Sequence, residues 1–346
     1  MTSKIVYRSY EAGDLEQILA LSRRSDSTSR TILSWRGNDM TAICAFAGKR
    51  LIGAIPFERR SLALGGSLYI KVLWATGVHV DEDFRSVGIG EAMDLLIARH
   101  FGDKTSGIFV YRGNKNSGAY RWYEKVGFSL IATIEALSKQ VDQSPRRDVV
   151  SEVYSGEDMF SMIGDELYNI FVGENEKRSG FQLRSPGYWN KICKFHLYRS
   201  FYKYFVLTIG QGDLKAYAFV GQTSIGDTVD RLDIFEFIGP PESWENLSEA
   251  IRMFALDRGV HTLRFRTYMG SEIGEWLRKT GFILEGKFYF MGKPFEKESV
   301  LFSTNKVAPF SLEPNQIDFK KSHSLASPRI LSNFSQKGAY FHSDYA

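Results

Sequence analysis

The run Val78-His-Val-Asp-Glu-Asp-Phe-Arg85-Ser86-Val87-Gly88-Ile89-Gly90 sets an arginine and two glycines between an apolar segment and an amphipathic one. That spacing describes an anion cradle. The first amides of a helix lack intrahelical acceptors, the helix dipole favours negative charge there, and glycines let a phosphate approach the backbone. Arg85 adds a charge-assisted donor. Taken alone, Gly88 and Gly90 describe a tight strand-to-helix turn equally well. The run 72–80 ahead of the loop holds one titratable side chain, His79, whose ordinary pKa near 6.5 suits a general base. Between Val78 and Val80 on a strand, its ring can equally point to the far sheet face. About thirty residues on, Asn116-Ser-Gly-Ala119-Tyr-Arg-Trp-Tyr123-Glu-Lys125-Val-Gly127-Phe128 carries a tyrosine whose hydroxyl needs a partner whether it gives up a proton or sits in a core.

Strands and helices of definite order must position these residues. Period-two patterning predicts strands at 42–47, 50–59 and 67–80, the first two joined by Gly48-Lys49. Helical spacing of Ile89, Met93, Leu96, Ile97 and Phe101 then predicts a helix over 88–101. A strand at 107–111, a helix at 117–125 closed by Gly127, and a strand at 128–136 complete the set. The same order recurs later: strands at 202–209, 214–221 and 231–238, a helix at 242–258, a strand at 261–267, a helix at 271–279 and a strand at 282–290. Placing Gly127-Phe128 on Gly281-Phe282 gives an offset of 281 − 127 = 154, which also sets Trp122 on Trp276 and Lys125 on Lys279. A tandem duplication is the reading.

With 346 residues the chain is long for one core, and 43% hydrophobic with 24% charged residues excludes a disordered chain. Its apolar runs fall short of the roughly 20 residues a membrane-spanning helix needs, so no membrane is expected. Two cysteines are too few for a disulfide framework or a metal site, and with no apolar signal core behind Met1 they fit a cytoplasmic protein. A net charge of +4 without a dense basic block argues against nucleic acid and suits a small anionic ligand.

Together, the Arg85-x-x-Gly88-x-Gly90 loop and the Asn116 to Phe128 segment resemble the GNAT superfamily of acyl-CoA-dependent N-acyltransferases, over residues 1 to about 137. The resemblance implies an α/β (α+β) fold of two tandem GNAT-like domains, each a mixed central sheet flanked by helices. The expected layout is a catalytic domain at 1–140, a degenerate domain at 151–302 and a C-terminal arm at 303–346 without its own core. It further implies acyl-CoA as co-substrate. Arg85, Ser86, Val87, Gly88, Ile89 and Gly90 would hold its pyrophosphate, Val78 and Val80 would pair with the pantetheine amides, Asn116 would contact the CoA arm, and Tyr123 would sit by the sulfur as catalytic acid. Members of the superfamily often place a glutamate on the strand before the loop. Here His79 is the candidate base, with water the alternative.

The second half departs where it matters. At the same offset the cradle falls on Gly239-Pro-Pro-Glu-Ser-Trp, whose prolines remove amide donors, and Leu277 replaces Tyr123. Charged residues on its strands, among them Asp233, Glu236 and Arg264, read as a solvated sheet face. A tandem with one degenerate half is similar to sugar-nucleotide N-acyltransferases, aminoglycoside-type acetyltransferases and mycothiol-synthase-like enzymes. The expected acceptor is a primary amine of a small molecule, an amino sugar or its nucleotide-linked form. Trp35, Arg36, Arg184, Tyr188 and Trp189 are expected to bind its ring and anion. A non-catalytic acyl-CoA sensor is the alternative of another class.

Overall fold

The computed structural model describes residues 5–22, 41–65, 68–113, 115, 117–144, 147, 149–156, 159–175, 182–185, 187–189, 202–211, 214–225 and 228–295. Trp35, Arg36, Asn116 and the arm at 303–346 lie outside these residues. The chain divides into two compact units, the first built from Met1–Leu62, Tyr69–Ile131 and the segment from Tyr289, the second from Ala132–Phe288 together with the short segment Ala63–Leu68.

In the first unit, β1 (Ile5–Ser9), β2 (Thr41–Ala47), β3 (Arg50–Gly65), β4 (Leu68–Ala75) and β6 (Gly107–Arg112) lie side by side, and the short β5 (His79–Val80) pairs with β3. β1–β2, β2–β3 and β3–β5 pair antiparallel, whereas β4 and β6 pair parallel and are linked by a crossover through α2 (Ile89–Phe101). The alternation of β2 and β3 separates two cores. Ile43, Ala45, Ile52 and Ile55 face α2 and α3 (Gly118–Lys125), whereas Ala42, Cys44, Leu51 and Ala54 face Ile18 and Leu19 of α1 (Leu15–Ser22).

The second unit repeats the pattern. An antiparallel run of β8 (Ser151–Ser155), β9 (Tyr202–Gln211), β10 (Leu214–Ile225) and β11 (Thr228–Ile238) is followed by α5 (Trp244–Asp257), and β12 (Thr262–Tyr268) lies parallel to β11. α4 (Met159–Asn175) precedes β9, and α6 (Glu272–Lys279) follows β12. The 154-residue offset holds to the level of single torsions. Ser117 and Ser271 both cap their helices through the side chain, and Gly127 and Gly281 close them at φ of 94° and 95°.

The last strand of each repeat departs from a contiguous layout. β7 (Ser129–Gln140) follows α3, yet its residues Ile134 to Gln140 pair with β12 of the second unit. β13 (Ile283–Pro294) follows α6, and its residues Tyr289 to Pro294 pair with β6 of the first. The units therefore change over within these two strands, between Ile131 and Ala132 and between Phe288 and Tyr289. Strand patterning shows that a segment is extended but not which strand it will join, so boundaries at 140 and 151 carry no trace of the exchange.

Candidate active site

The first unit's sheet opens where its parallel pair ends. Among the described residues β4 and β6 pair at Leu73↔Ile108 and Trp74↔Phe109 alone, after which β4 stops at Ala75 and β6 continues to Arg112. A bulge redirects the chain here. Thr76 donates to the carbonyl of Pro56 and Asp81 to that of Ile52, so 81 − 76 = 5 steps on one strand face 56 − 52 = 4 on the other. Since the Asp81 amide turns to β3, alternation turns that of His79 there too, and the amides of Val78 and Val80 to the open edge.

A cavity of roughly 850 Å³ occupies this opening. Its walls are Val78 to Glu82, Phe84 to Ser86, Gly88 to Glu91 and Arg112, with Gly118, Ala119, Trp122, Tyr123 and Lys125 of α3. The cradle has the shape an anion needs. Ser86 and Gly88 adopt φ of 65° and 85°, and Gly88 caps α2 in the left-handed region, so the loop's amides and the first helical turn converge. A Cβ at Gly88 would meet nothing within 4 Å, whereas one at Gly90 would come within 2.9 Å of the Trp122 ring, so only a glycine lets α2 and α3 approach this closely. Arg85 is tethered by its Nε to the Val80 carbonyl at 3.3 Å, with its guanidinium exposed beside the loop. At the rim Lys125 binds Glu91 at 2.9 Å and holds that carboxyl below its ordinary pKa.

Tyr123 forms the inner wall. It is only 1% exposed, with its ring edge-on to Trp122 and Phe128 at 5.0 and 4.8 Å. Its hydroxyl accepts a hydrogen bond from Arg112 Nη2 at 2.6 Å, and the guanidinium carbon lies 4.6 Å from the ring centroid. Burial pushes the phenol's pKa up, Arg112 opposes this, and the net shift is upward. Arg112 was not anticipated from sequence. The signal was strand parity, since Arg112 follows Ile108 and Val110 on the face of β6 turned to α3. His79 also lines the cavity, buried, with Nε2 2.9 Å from where a Cβ on Gly77 would stand.

Val78, His79, Val80, Arg85, Ser86, Gly88, Ile89, Gly90 and Tyr123 are thus brought to one cavity. Val87, 65% exposed, does not line it. Three of the residues expected to bind the acceptor have a different placement. Arg184 pairs with Glu236 at 2.8 Å with both side chains fully buried, and Tyr217 donates to the same carboxylate at 2.8 Å. The Arg184 guanidinium lies over Phe171, Tyr188 and Trp189 at 3.9, 4.4 and 5.1 Å. This is a charge pair satisfied inside the second unit, where a buried guanidinium requires a carboxylate partner. Glu236 and Asp233, read above as part of a solvated face, are buried, and Asp233 pairs with Arg264.

The second unit's counterpart of the cradle is closed. Pro240 and Pro241 occupy the turn, Ser243 and Trp244 donate to the carbonyls of Pro240 and Gly239, and Leu277 is buried where the first unit has Tyr123.

No family model and no curated protein sequence matches the chain. Solved structures do. A GCN5-related N-acetyltransferase from Anabaena variabilis aligns with a TM-score of 0.65 at 14% identity, over 86% of this chain and 74% of its own. Eis1 from Mycobacterium abscessus aligns with a TM-score of 0.59 at 13% identity, over 86% and 75%. A tandem GNAT protein from the clavulanic acid biosynthesis pathway aligns with a TM-score of 0.55 at 12% identity, over 85% of this chain and 99% of its own. The chain has the fold of the GCN5-related N-acetyltransferases, carried twice in tandem.

Proposed function

We propose that the protein is an acyl-CoA-dependent N-acyltransferase acting on a primary amine of a small molecule, with its chemistry confined to the first unit. The observation that carries this reading is a single cavity holding an anion cradle at one end and a buried tyrosine hydroxyl at the other. The residues fit the co-substrate. The amides from Ser86 to Gly90 suit a pyrophosphate, and the outward amides of Val78 and Val80 suit the amide arm that follows it. Acyl-CoA supplies a thioester carbonyl. Whichever of the Val78 and Val80 amides is not used by the arm polarises its oxygen, and Tyr123 offers a proton to the departing sulfur. His79, which lines the cavity, would take the amine's proton, with water as the second acceptor.

An amino sugar is the first acceptor class to assay, followed by aminoglycosides and simple amines. Isothermal calorimetry with CoA tests the site. One site per chain is expected, abolished by Gly88→Glu, which sets bulk and negative charge at the cradle. Two sites, or unchanged affinity in Gly88→Glu, would overturn it. Thiol release from acetyl-CoA across an amine panel tests the chemistry, and CoA binding without turnover of any amine would identify a sensor.

A further inference from the structure

We infer that Arg112 is a positioning residue that makes Tyr123 competent as the acid of this site. The inference rests on the acyl-transfer reading above. A phenol titrates near 10 and a thiol near 8.5, so passing a proton from a free tyrosine to a thiolate is uphill. Burial makes it steeper, because the phenolate left behind has lost its water. A tyrosine sealed in an apolar wall would be a hydrogen-bond donor and little more.

Arg112 changes that balance through its geometry. Its Nη2 donates to the Tyr123 hydroxyl at 2.6 Å, which uses an oxygen lone pair and leaves the phenolic hydrogen to be donated elsewhere. Both side chains line the cavity, so the cation faces the oxygen that becomes negative. The other charges near this oxygen do not replace it. Asp94 of α2 is buried and opposes phenolate formation, but it is paired with Lys293 of β13. Glu91 and Lys125 pair with each other at the rim, and His79 stands on the β5 wall. The second unit supplies a contrast: at the same offset it keeps an arginine, Arg266, which stacks on Phe288 at 4.5 Å where Leu277 has replaced the tyrosine.

In the step this serves, the amine nitrogen forms a bond to the acyl carbon as the carbon–sulfur bond breaks. The sulfur takes the Tyr123 proton, and Arg112 holds the resulting phenolate. The proton shed by the amine leaves through His79 or water to solvent, from which the phenolate is reprotonated.

Two measurements test this, one independent of turnover. Tyr123→difluorotyrosine, read by fluorine NMR during a pH titration, reports the phenol directly. Removing the cation by Arg112→Met is expected to raise its midpoint by at least about one pH unit, with Arg112→Lys between that and the unmodified arginine. An unmoved midpoint overturns the inference. In acetyl-CoA turnover with an active amine, Arg112→Met is expected to lower kcat by up to the roughly 10²-fold lost in Tyr123→Phe, and to cost nothing further in the Tyr123→Phe background. Independent, multiplying losses would overturn it as well. Should Arg112→Met not fold, Arg112→Lys carries both arms. Should no amine be turned over, the acyl-transfer reading falls and the fluorine titration still decides whether Arg112 governs Tyr123.

Discussion

Tyr123 and Gly90 show how little separates a core residue from a working one. Tyr123 packs like any buried aromatic, yet its hydroxyl end reaches the cavity wall. Tyr123→Phe should therefore leave the fold and CoA affinity nearly intact while lowering kcat about 10²-fold, because a leaving-group acid acts mainly in the transition state. Steady-state kinetics beside calorimetry would separate the two effects. A pH effect belongs to the same scale. Burial raises the Asp14 carboxyl's pKa, but hydrogen bonds from Arg8 and the Glu11 amide overcome this and hold it below the ordinary value. A depressed carboxyl stabilises the fold above its unfolded pKa, about 3.9, and that contribution is lost as pH falls through the lower folded value. Asp14→Asn should thus lower stability at neutral pH and flatten the loss of stability below about pH 4, as measured by denaturant melts across pH.

Helices and strands were largely legible. The periodicity of 88–101 returned α2 at Ile89–Phe101, and the Ser117 and Gly127 signals returned α3 at Gly118–Lys125. The predicted strand at 67–80 is broken at Ala75 and resumes as β5, because the bulge after Thr76 leaves no mark in composition. α4 was missed although Met159, Ile163, Leu167 and Phe171 recur at helical spacing, because exposed Met162 and Val172 put apolar residues on its other face and blur the stripe. The buried Arg184–Glu236 pair was misread for another reason: a charged residue on a strand carries no sign of its partner. The matched caps offer a test of the duplication. Ser117→Ala and Ser271→Ala each remove one side-chain cap bond and should each cost about 1 kcal/mol. Because α3 bears Tyr123 and α6 bears Leu277, only Ser117→Ala should also reduce turnover.

At the scale of the molecule, the exchange of last strands makes each unit depend on the other half of the chain. Lys293 stands beside Gly127 and pairs with Asp94, while Lys139, its counterpart at 293 − 154 = 139, stands beside Gly281 and donates to the Thr280 carbonyl. Met291 of the first unit's core corresponds to Leu137 at 291 − 154 = 137. β7 therefore carries what β6 requires of a neighbour, as in domain swapping, where one element serves either of two equivalent places. A fragment of residues 1–140 is expected to fold alone and bind CoA, with β7 turned back onto β6. In the fragment Lys139→Ala should destabilise as Asp94→Ala does, whereas in the full chain Lys293→Ala should be the variant coupled to Asp94. Thermal melts of Lys139→Ala and Asp94→Ala in the fragment, and of Lys293→Ala, Asp94→Ala and their double variant in the full chain, would decide it, and an insoluble fragment would show that β7 cannot serve β6.

That interchangeability sets a problem of timing during synthesis. When Gln140 has left the ribosome, the edge of β6 away from β4 has β7 available to it; the proper neighbour, β13, ends 294 − 140 = 154 residues later. At about 5–20 residues per second the interval is roughly 8 to 30 seconds, ample for the early pairing to form. Reaching the mature arrangement then requires the nascent first half to release β7 as β13 arrives. A chain that keeps β7 on β6 leaves the outer edge of β12 bare until β13, the equivalent strand, reaches it, and a bare sheet edge draws other chains into aggregates.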